Sequence, residues 1–315
     1  MRTFDFMENI LQWGLDLIRQ IQNYANPSLT AFMLGITWLG STMAYLILLP
    51  FIFWCVDEKK GLKLGIAVLI SAWINLTFKF LFDQPRPFFL AYDPVVGMIP
   101  ERFGGFPSGH AQNALVLWVI IASWIKRKWA FAAAALVVLL VSFSRIYLGV
   151  HFPTDILGGW ALGGLVLCVY FVFGKRLEKT FEQAGFRAQM ISFAAVSFVM
   201  ILYRPAEALL MPGGILLGMG AGYLLNKRFT GFKSSILPGE QKPVRYVIMA
   251  ARFVLGIAVT AVLSAAIRKI IPTARGTSWF LLVYFGLHGV IGLWVSAGAP
   301  WLYCKLRLAK RQENS

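Results

Sequence analysis

Nine long apolar runs dominate this 315-residue chain, at about 28–54, 61–82, 109–125, 129–149, 155–174, 188–203, 207–225, 246–267 and 278–303. About 20 apolar residues cross a bilayer as a helix, in which every backbone amide is satisfied within the segment. The pattern predicts an all-α polytopic membrane helix bundle of about nine spans. A soluble domain is excluded by the balance of 58% hydrophobic to 14% charged residues. The seventh run carries Gly213, Gly214, Gly218, Gly220 and Gly222, a composition that suits close helix packing.

The net charge of +16 would point to nucleic acid in a soluble protein, but in a membrane protein it marks the cytoplasmic loops. Residues 57–63 hold three Lys or Arg, 126–128 three, 175–187 four, 227–245 five and 305–311 four. All of these lie on one side of a nine-span chain. That side is expected to be cytoplasmic, with the N-terminus outside and no nucleic-acid partner. Cys55, Cys168 and Cys304 are scattered, with neither zinc spacing nor a disulfide framework.

Residues 1–27 do not read as a signal peptide, because Asp5, Glu8 and Asp16 interrupt any apolar core. Phe4, Met7, Ile10, Leu11, Leu15, Ile18 and Ile21 share one helical face, with polar residues on the other. An amphipathic helix lying in the membrane interface is expected, turned into the bilayer at Asn26-Pro27-Ser28.

Three polar stretches edge these runs: residues 79–87, residues 107–110 and residues 144–155. The topology places all three on the extracytoplasmic side, where four helix ends can converge. A phosphate ester needs fixed cationic donors. Lys79 and Arg86 are seven residues apart, on one face of a helix running to Arg86, and Pro85 and Pro87 end that helix. Ser108 suits an N-cap, Gly109 permits close backbone approach, and free amides at a helix start bind anions. His110 would stand beside the phosphate, able to protonate a leaving oxygen. His151 and Asp155 are four apart, so a helix beginning near Pro153 lets Asp155 orient the His151 ring. The other ring nitrogen would attack phosphorus to give a phosphohistidine, and Arg145 would bind the equatorial oxygens. His110, His151 and Asp155 also make a donor set for a metal, but three neighbouring cations would repel it, so no metal and no cofactor are expected. His288 reads as a packed bundle histidine, and Arg252 as a charge that snorkels toward the cytoplasmic surface.

Lys79 with Arg86-Pro87, Pro107-Ser108-Gly109-His110, and Ser144-Arg145 with His151 and Asp155 together resemble the three-part signature of the type 2 phosphatidic acid phosphatase superfamily. That superfamily includes lipid phosphate phosphatases, bacterial undecaprenyl-pyrophosphate and phosphatidylglycerophosphate phosphatases, glucose-6-phosphatase and vanadium haloperoxidases. The resemblance implies a six-span phosphatase core over 28–203, with about three additional C-terminal spans over 204–315. It implies His151 as nucleophile, Asp155 as its partner and His110 as acid, with Lys79, Arg86, Ser108, Gly109 and Arg145 binding phosphate. The expected substrate is a membrane lipid phosphate or pyrophosphate. The apolar 88–106 connection (Phe88, Phe89, Leu90, Tyr92, Val95, Val96, Met98, Ile99, Phe103) would lie on the membrane as a lid. The nine-span layout also resembles the glucose-6-phosphatase branch, which makes a soluble sugar phosphate the alternative. A non-enzymatic phosphate-binding or transport role is a further alternative, opposed by the intact nucleophile. Neither a usable N-glycosylation sequon nor a retention signal is present, which favours a bacterial inner membrane.

Overall fold

The computed structural model describes residues 2–90, 97–101, 103–203, 206–235 and 242–310. Tyr92, Val95 and Val96 of the expected lid, and the side chains of Phe4 and Met7, lie outside the described residues. The fold is all-α, with no strand among the described residues. The helices are α1 (Arg2–Gln22), α2 (Pro27–Trp38), α3 (Thr42–Phe51), α4 (Glu58–Phe82), α5 (Pro87–Leu90), α6 (Gly109–Ile125), α7 (Lys128–Tyr147), α8 (Pro153–Gln183), α9 (Phe186–Leu202), α10 (Glu207–Leu225), α11 (Lys242–Ala274), α12 (Phe280–Leu293) and α13 (Ala299–Lys305).

All nine apolar runs are helical. Among the described residues, six helical segments are long and apolar enough to cross a membrane, while α6 and α9 have 17 residues each. The first run is not one straight span. α2 and the α3 segment meet at a 47° bend. Gly40 sits at the break, where an added Cβ would lie 2.5 Å from Val141 Cγ1, and the Tyr45 hydroxyl donates to the Gly40 carbonyl. α4 also departs from expectation. It stops at Phe82 instead of running to Arg86, because Asp83 takes a left-handed φ of 41° and Pro85 and Pro87 follow. Lys79 and Arg86 therefore do not share a helix face.

The chain divides into two compact units. The first comprises residues 1–45 and 74–173, and the second residues 46–73 and 174–315. Within the first unit, α1 is amphipathic. Leu15 and Ile18 on its apolar face are buried against Phe152, with Leu11 and Ile146 alongside. Gly14 allows this approach, since a Cβ there would lie 2.8 Å from the Phe152 ring. The N-terminal helix thus covers the turn that carries His151.

In the second unit α10 lies directly on α12. A Cβ on Gly218 would fall 1.9 Å from the Gly289 carbonyl oxygen, so the two backbones touch. Arg252 does not snorkel: it is fully buried. Its Nε donates to the Leu308 carbonyl, and its Nη1 to those of Trp54 and Ser234, each at 3.0 Å. Three carbonyls replace the water that a buried guanidinium has lost. His288 behaves as expected, its Nδ1 lying 2.7 Å from the Tyr284 carbonyl.

Gly218→Ala should destabilise the protein by about 1–3 kcal/mol through overpacking. Gly286→Ala, on α12 where a Cβ meets nothing within 4 Å, should not. Thermal unfolding of the two variants in detergent measures the contrast.

Candidate active site

Every residue of the three motifs falls in the first unit, and local chemistry explains each placement. Asn26 and Ser108 cap α2 and α6 by accepting from Leu29 N and Ala111 N. Ser108 Oγ is thus engaged in the cap at a helix start whose backbone amides face the site's end of α6. α6 is held there from two sides. Asn75 Nδ2 donates to the Pro107 carbonyl at 3.2 Å, and Ser108 N donates to the Asp155 carbonyl at 2.9 Å. Gly109 is required by proximity, since a Cβ would lie 2.9 Å from Asn75 Oδ1.

α8 begins at Pro153, and Asp155 sits in its first turn with its side chain wholly buried. Asp155 Oδ2 lies 3.0 Å from His151 Nδ1 and accepts from Phe152 N at 2.9 Å. Gln84 Nε2 donates to the other oxygen, Oδ1, at 2.9 Å. This arrangement makes Nδ1 the protonated ring nitrogen and places the lone pair on Nε2. Arg86 Nη1 faces that nitrogen at 3.3 Å and also donates to the Val150 carbonyl at 2.8 Å. Burial first, and then the charges of Lys79, Arg86 and Arg145, hold the His151 pKa well below its ordinary value, so the ring is neutral near pH 7.

The three cations are themselves almost fully buried: 7% of Lys79, 2% of Arg86 and 1% of Arg145 is exposed. Lys79 Nζ donates to the Gly104 and Gly105 carbonyls at 2.5 and 3.0 Å. Arg86 Nε donates to the Phe103 carbonyl at 2.7 Å. Arg145 Nη1 donates to Thr37 Oγ1 at 2.9 Å, and its Nη2 pairs with Glu101. His110, half-buried in the first turn of α6, makes no side-chain hydrogen bond among the described residues. Its backbone passes Gly40 at the bend between α2 and α3, where a Cβ would lie 3.2 Å from the His110 carbonyl.

The connection between α5 and α6 is stapled to the turn preceding His151. Met98 N donates to the Leu148 carbonyl at 3.1 Å, and Phe88, Met98 and Ile99 pack on Met33, Tyr147, Leu148 and Val150. Phe89, Leu90 and Phe103 are exposed.

The structure thus gathers Lys79, Arg86, Ser108, Gly109, His110, Arg145, His151 and Asp155 at one end of one unit. It adds Gln84, Glu101, Asn75 and Thr37, none of which the sequence reading singled out. Gln84 was within reach, since it lies inside the first motif. Glu101 carried a weaker signal, a carboxylate in a mostly apolar connection.

Known proteins are similar to this chain over much of its length. The PAP2 superfamily profile matches residues 60–179, and that of the PAP2 superfamily phosphatase transmembrane extension matches 210–311. Phosphatidylglycerophosphatase B of Bacillus subtilis is 31% identical over 176 residues, covering 52% of this chain and 81% of that protein. Lipid phosphate phosphatase delta of Arabidopsis thaliana is 25% identical over 244 residues, 73% of this chain, which spans 56% of the plant protein's length. The glucose-6-phosphatase catalytic subunit 1 of Bos taurus is 29% identical over 229 residues, 62% of each chain. These similarities define an integral membrane phosphatase, a hydrolase. The chain belongs to the PAP2 superfamily.

Gly159→Ala tests the seating of α8 on the residue 107–110 turn, because its Cβ would lie 2.6 Å from the Ser108 carbonyl oxygen. Displacing reacting groups by about 1 Å costs on the order of 10²-fold, so kcat/KM for phosphate-ester hydrolysis should fall by that order. Gly164→Ala, on the same helix with nothing within 4 Å, should leave the rate unchanged.

Proposed function

We propose that the chain hydrolyses a membrane lipid phosphate or pyrophosphate without a metal, through a covalent phosphohistidine on His151. One observation carries this reading. The His151 ring is held by Asp155 on Nδ1, so its Nε2 carries the lone pair, and the group that faces this lone pair is the Arg86 guanidinium, a donor that a phosphoryl oxygen can draw away. An incoming phosphoryl group would draw the Arg86 guanidinium onto an equatorial oxygen and uncover Nε2. Nε2 then attacks phosphorus as the bond to the leaving oxygen breaks. His110 protonates that oxygen, and Asp155 stabilises the positive charge that His151 acquires. In the second half His110 takes a proton from water, which attacks the phosphohistidine and releases phosphate. Lys79, Arg86, Arg145 and the amides at the start of α6, with Ser108 and Gly109, bind the phosphoryl oxygens.

The lipid assignment is supported by the apolar side chains of Phe88, Met98 and Ile99 on the turn before His151 and by the names of the relatives. Residues 28–203 would be the catalytic core, with 204–315 as additional helices. The Lys and Arg distribution supports an extracytoplasmic site. A second reading, hydrolysis of a soluble sugar phosphate, is favoured by the glucose-6-phosphatase similarity, which extends over 62% of this chain.

Purified protein should release phosphate faster from phosphatidic acid, phosphatidylglycerophosphate or undecaprenyl pyrophosphate than from glucose 6-phosphate. The reverse preference would select the second reading. His151→Ala should abolish turnover, and rapid acid-free quenching with labelled substrate should trap phosphate on His151 of the wild type alone. Asp155→Asn should lower kcat by about 10²–10⁴-fold.

The depressed His151 pKa fixes the direction of the pH dependence. Its neutral form is the nucleophile, so activity is lost as pH falls through that pKa. With substrate ionisation divided out, the acid limb of kcat/KM should lie below the ordinary histidine value of about 6.5. Lys79→Met removes a charge that lowers this pKa, so the residual activity should show the limb at higher pH. An acid limb that does not move would contradict the assignment.

A further inference from the structure

Glu101 belongs to none of the three motifs. It stands in the connection between α5 and α6 with about a fifth of its side chain exposed (21%). Its two carboxylate oxygens reach different arginines: Oε2 lies 3.3 Å from Arg86 Nη2, and Oε1 pairs with Arg145 Nη2. Both arginines are nearly buried, so their mutual repulsion is weakly screened. A carboxylate between them replaces that repulsion with two attractions and sets the distance between the guanidinium groups.

Three main-chain carbonyls of the connection work on the same cations without bringing charge. The carbonyls of Phe103, Gly104 and Gly105 accept from Arg86 and Lys79. Carbonyls orient a donor, whereas Glu101, among the described residues of this stretch, also neutralises. Its hold leaves donors in reserve. Arg145 Nη1 is taken by Thr37 and Nη2 by Glu101, while the buried Arg145 Nε has no hydrogen-bond partner among the described residues. A buried N–H without a partner is costly unless a ligand completes it.

We propose that Glu101 is a positioning residue for the phosphate grip: its carboxylate bridges Arg86 and Arg145 at the separation that lets both serve one phosphoryl group, with Arg145 Nε presented to a phosphoryl oxygen. The inference rests on the phosphatase reading of the site. It differs from a model in which the Glu101 carboxylate occupies the phosphate's own place and must leave when substrate enters. The two predict opposite signs.

The test uses the full-length protein in detergent, with vanadate as the probe of the phosphoryl site and the best phosphate ester as substrate. Glu101→Gln keeps the shape of the side chain and removes its charge. It should weaken vanadate inhibition by about ten- to a hundredfold and raise KM, with a smaller change in kcat and little change in thermal midpoint. Glu101→Asp restores the charge on a shorter stem and should recover part of the vanadate affinity. Tighter vanadate inhibition or a lower KM in Glu101→Gln would show a competing carboxylate and overturn the proposal, as would unchanged constants. If Glu101→Gln does not fold, Glu101→Asp decides alone: weaker vanadate inhibition than the wild type supports the bridge, and equal or tighter inhibition overturns it. Wild-type protein inactive on every phosphate ester would instead defeat the functional reading, whereas active wild type with an indifferent Glu101→Gln would defeat this inference only.

Discussion

The site depends on the carboxylate of Asp155 more than on any other group. It is completely buried and accepts from His151, from the Phe152 amide and from Gln84, while its backbone carbonyl accepts from Ser108 N. One residue therefore fastens the first, second and third motifs to each other. Burying a carboxylate is unfavourable unless its lone pairs are satisfied, and here each satisfying donor is also a part of the catalytic arrangement. The glycines around it are the condition for this crowding. A Cβ on Gly105 would lie 3.0 Å from Asp155 Oδ2, and one on Gly159 would press on the Ser108 carbonyl.

The cations pose the complementary problem. Three positive groups stand nearly out of water, where each would be costly if left unpaired. They are met mostly by main-chain carbonyls from residues 103–105 and 150, with Glu101 supplying charge between Arg86 and Arg145. Carbonyl partners hold a guanidinium in place without neutralising it, so the positive potential survives for an anionic substrate. This is why the connection between α5 and α6 matters beyond its apolar surface: it is stapled to the turn before His151 at Leu148 and frames the cations from the other side.

Much of this was legible in the sequence, for different reasons at different residues. Apolar runs report helices directly, and the i, i+4 spacing of His151 and Asp155 with Pro153 between them specified the ring contact before any coordinates. Contacts that depend on tertiary approach were not legible. The bend at Gly40 brings that residue against Val141 on another helix, and the early end of α4 turns on the φ of a single residue, Asp83. Arg252 read as a snorkelling charge because its three carbonyl partners lie 18, 56 and 198 residues away. Glu101 and Gln84 were passed over because a polar residue in a loop has many uses, and only the placement of Arg145 and Asp155 selects among them.

The interleaving of the two units has a consequence for how the chain is made. Everything in the unit that carries the site has been synthesised by residue 173, whereas residues 46–73 belong with a stretch that begins at 174. Trp54 is completely buried in the finished protein, with Nε1 donating to the Val295 carbonyl and its own carbonyl held by Arg252. At about 5–20 residues per second, that indole waits on the order of ten seconds after the catalytic half is complete. During that interval its final neighbours do not yet exist. The candidate site is therefore an early product of translation, and the surroundings of Trp54 a late one.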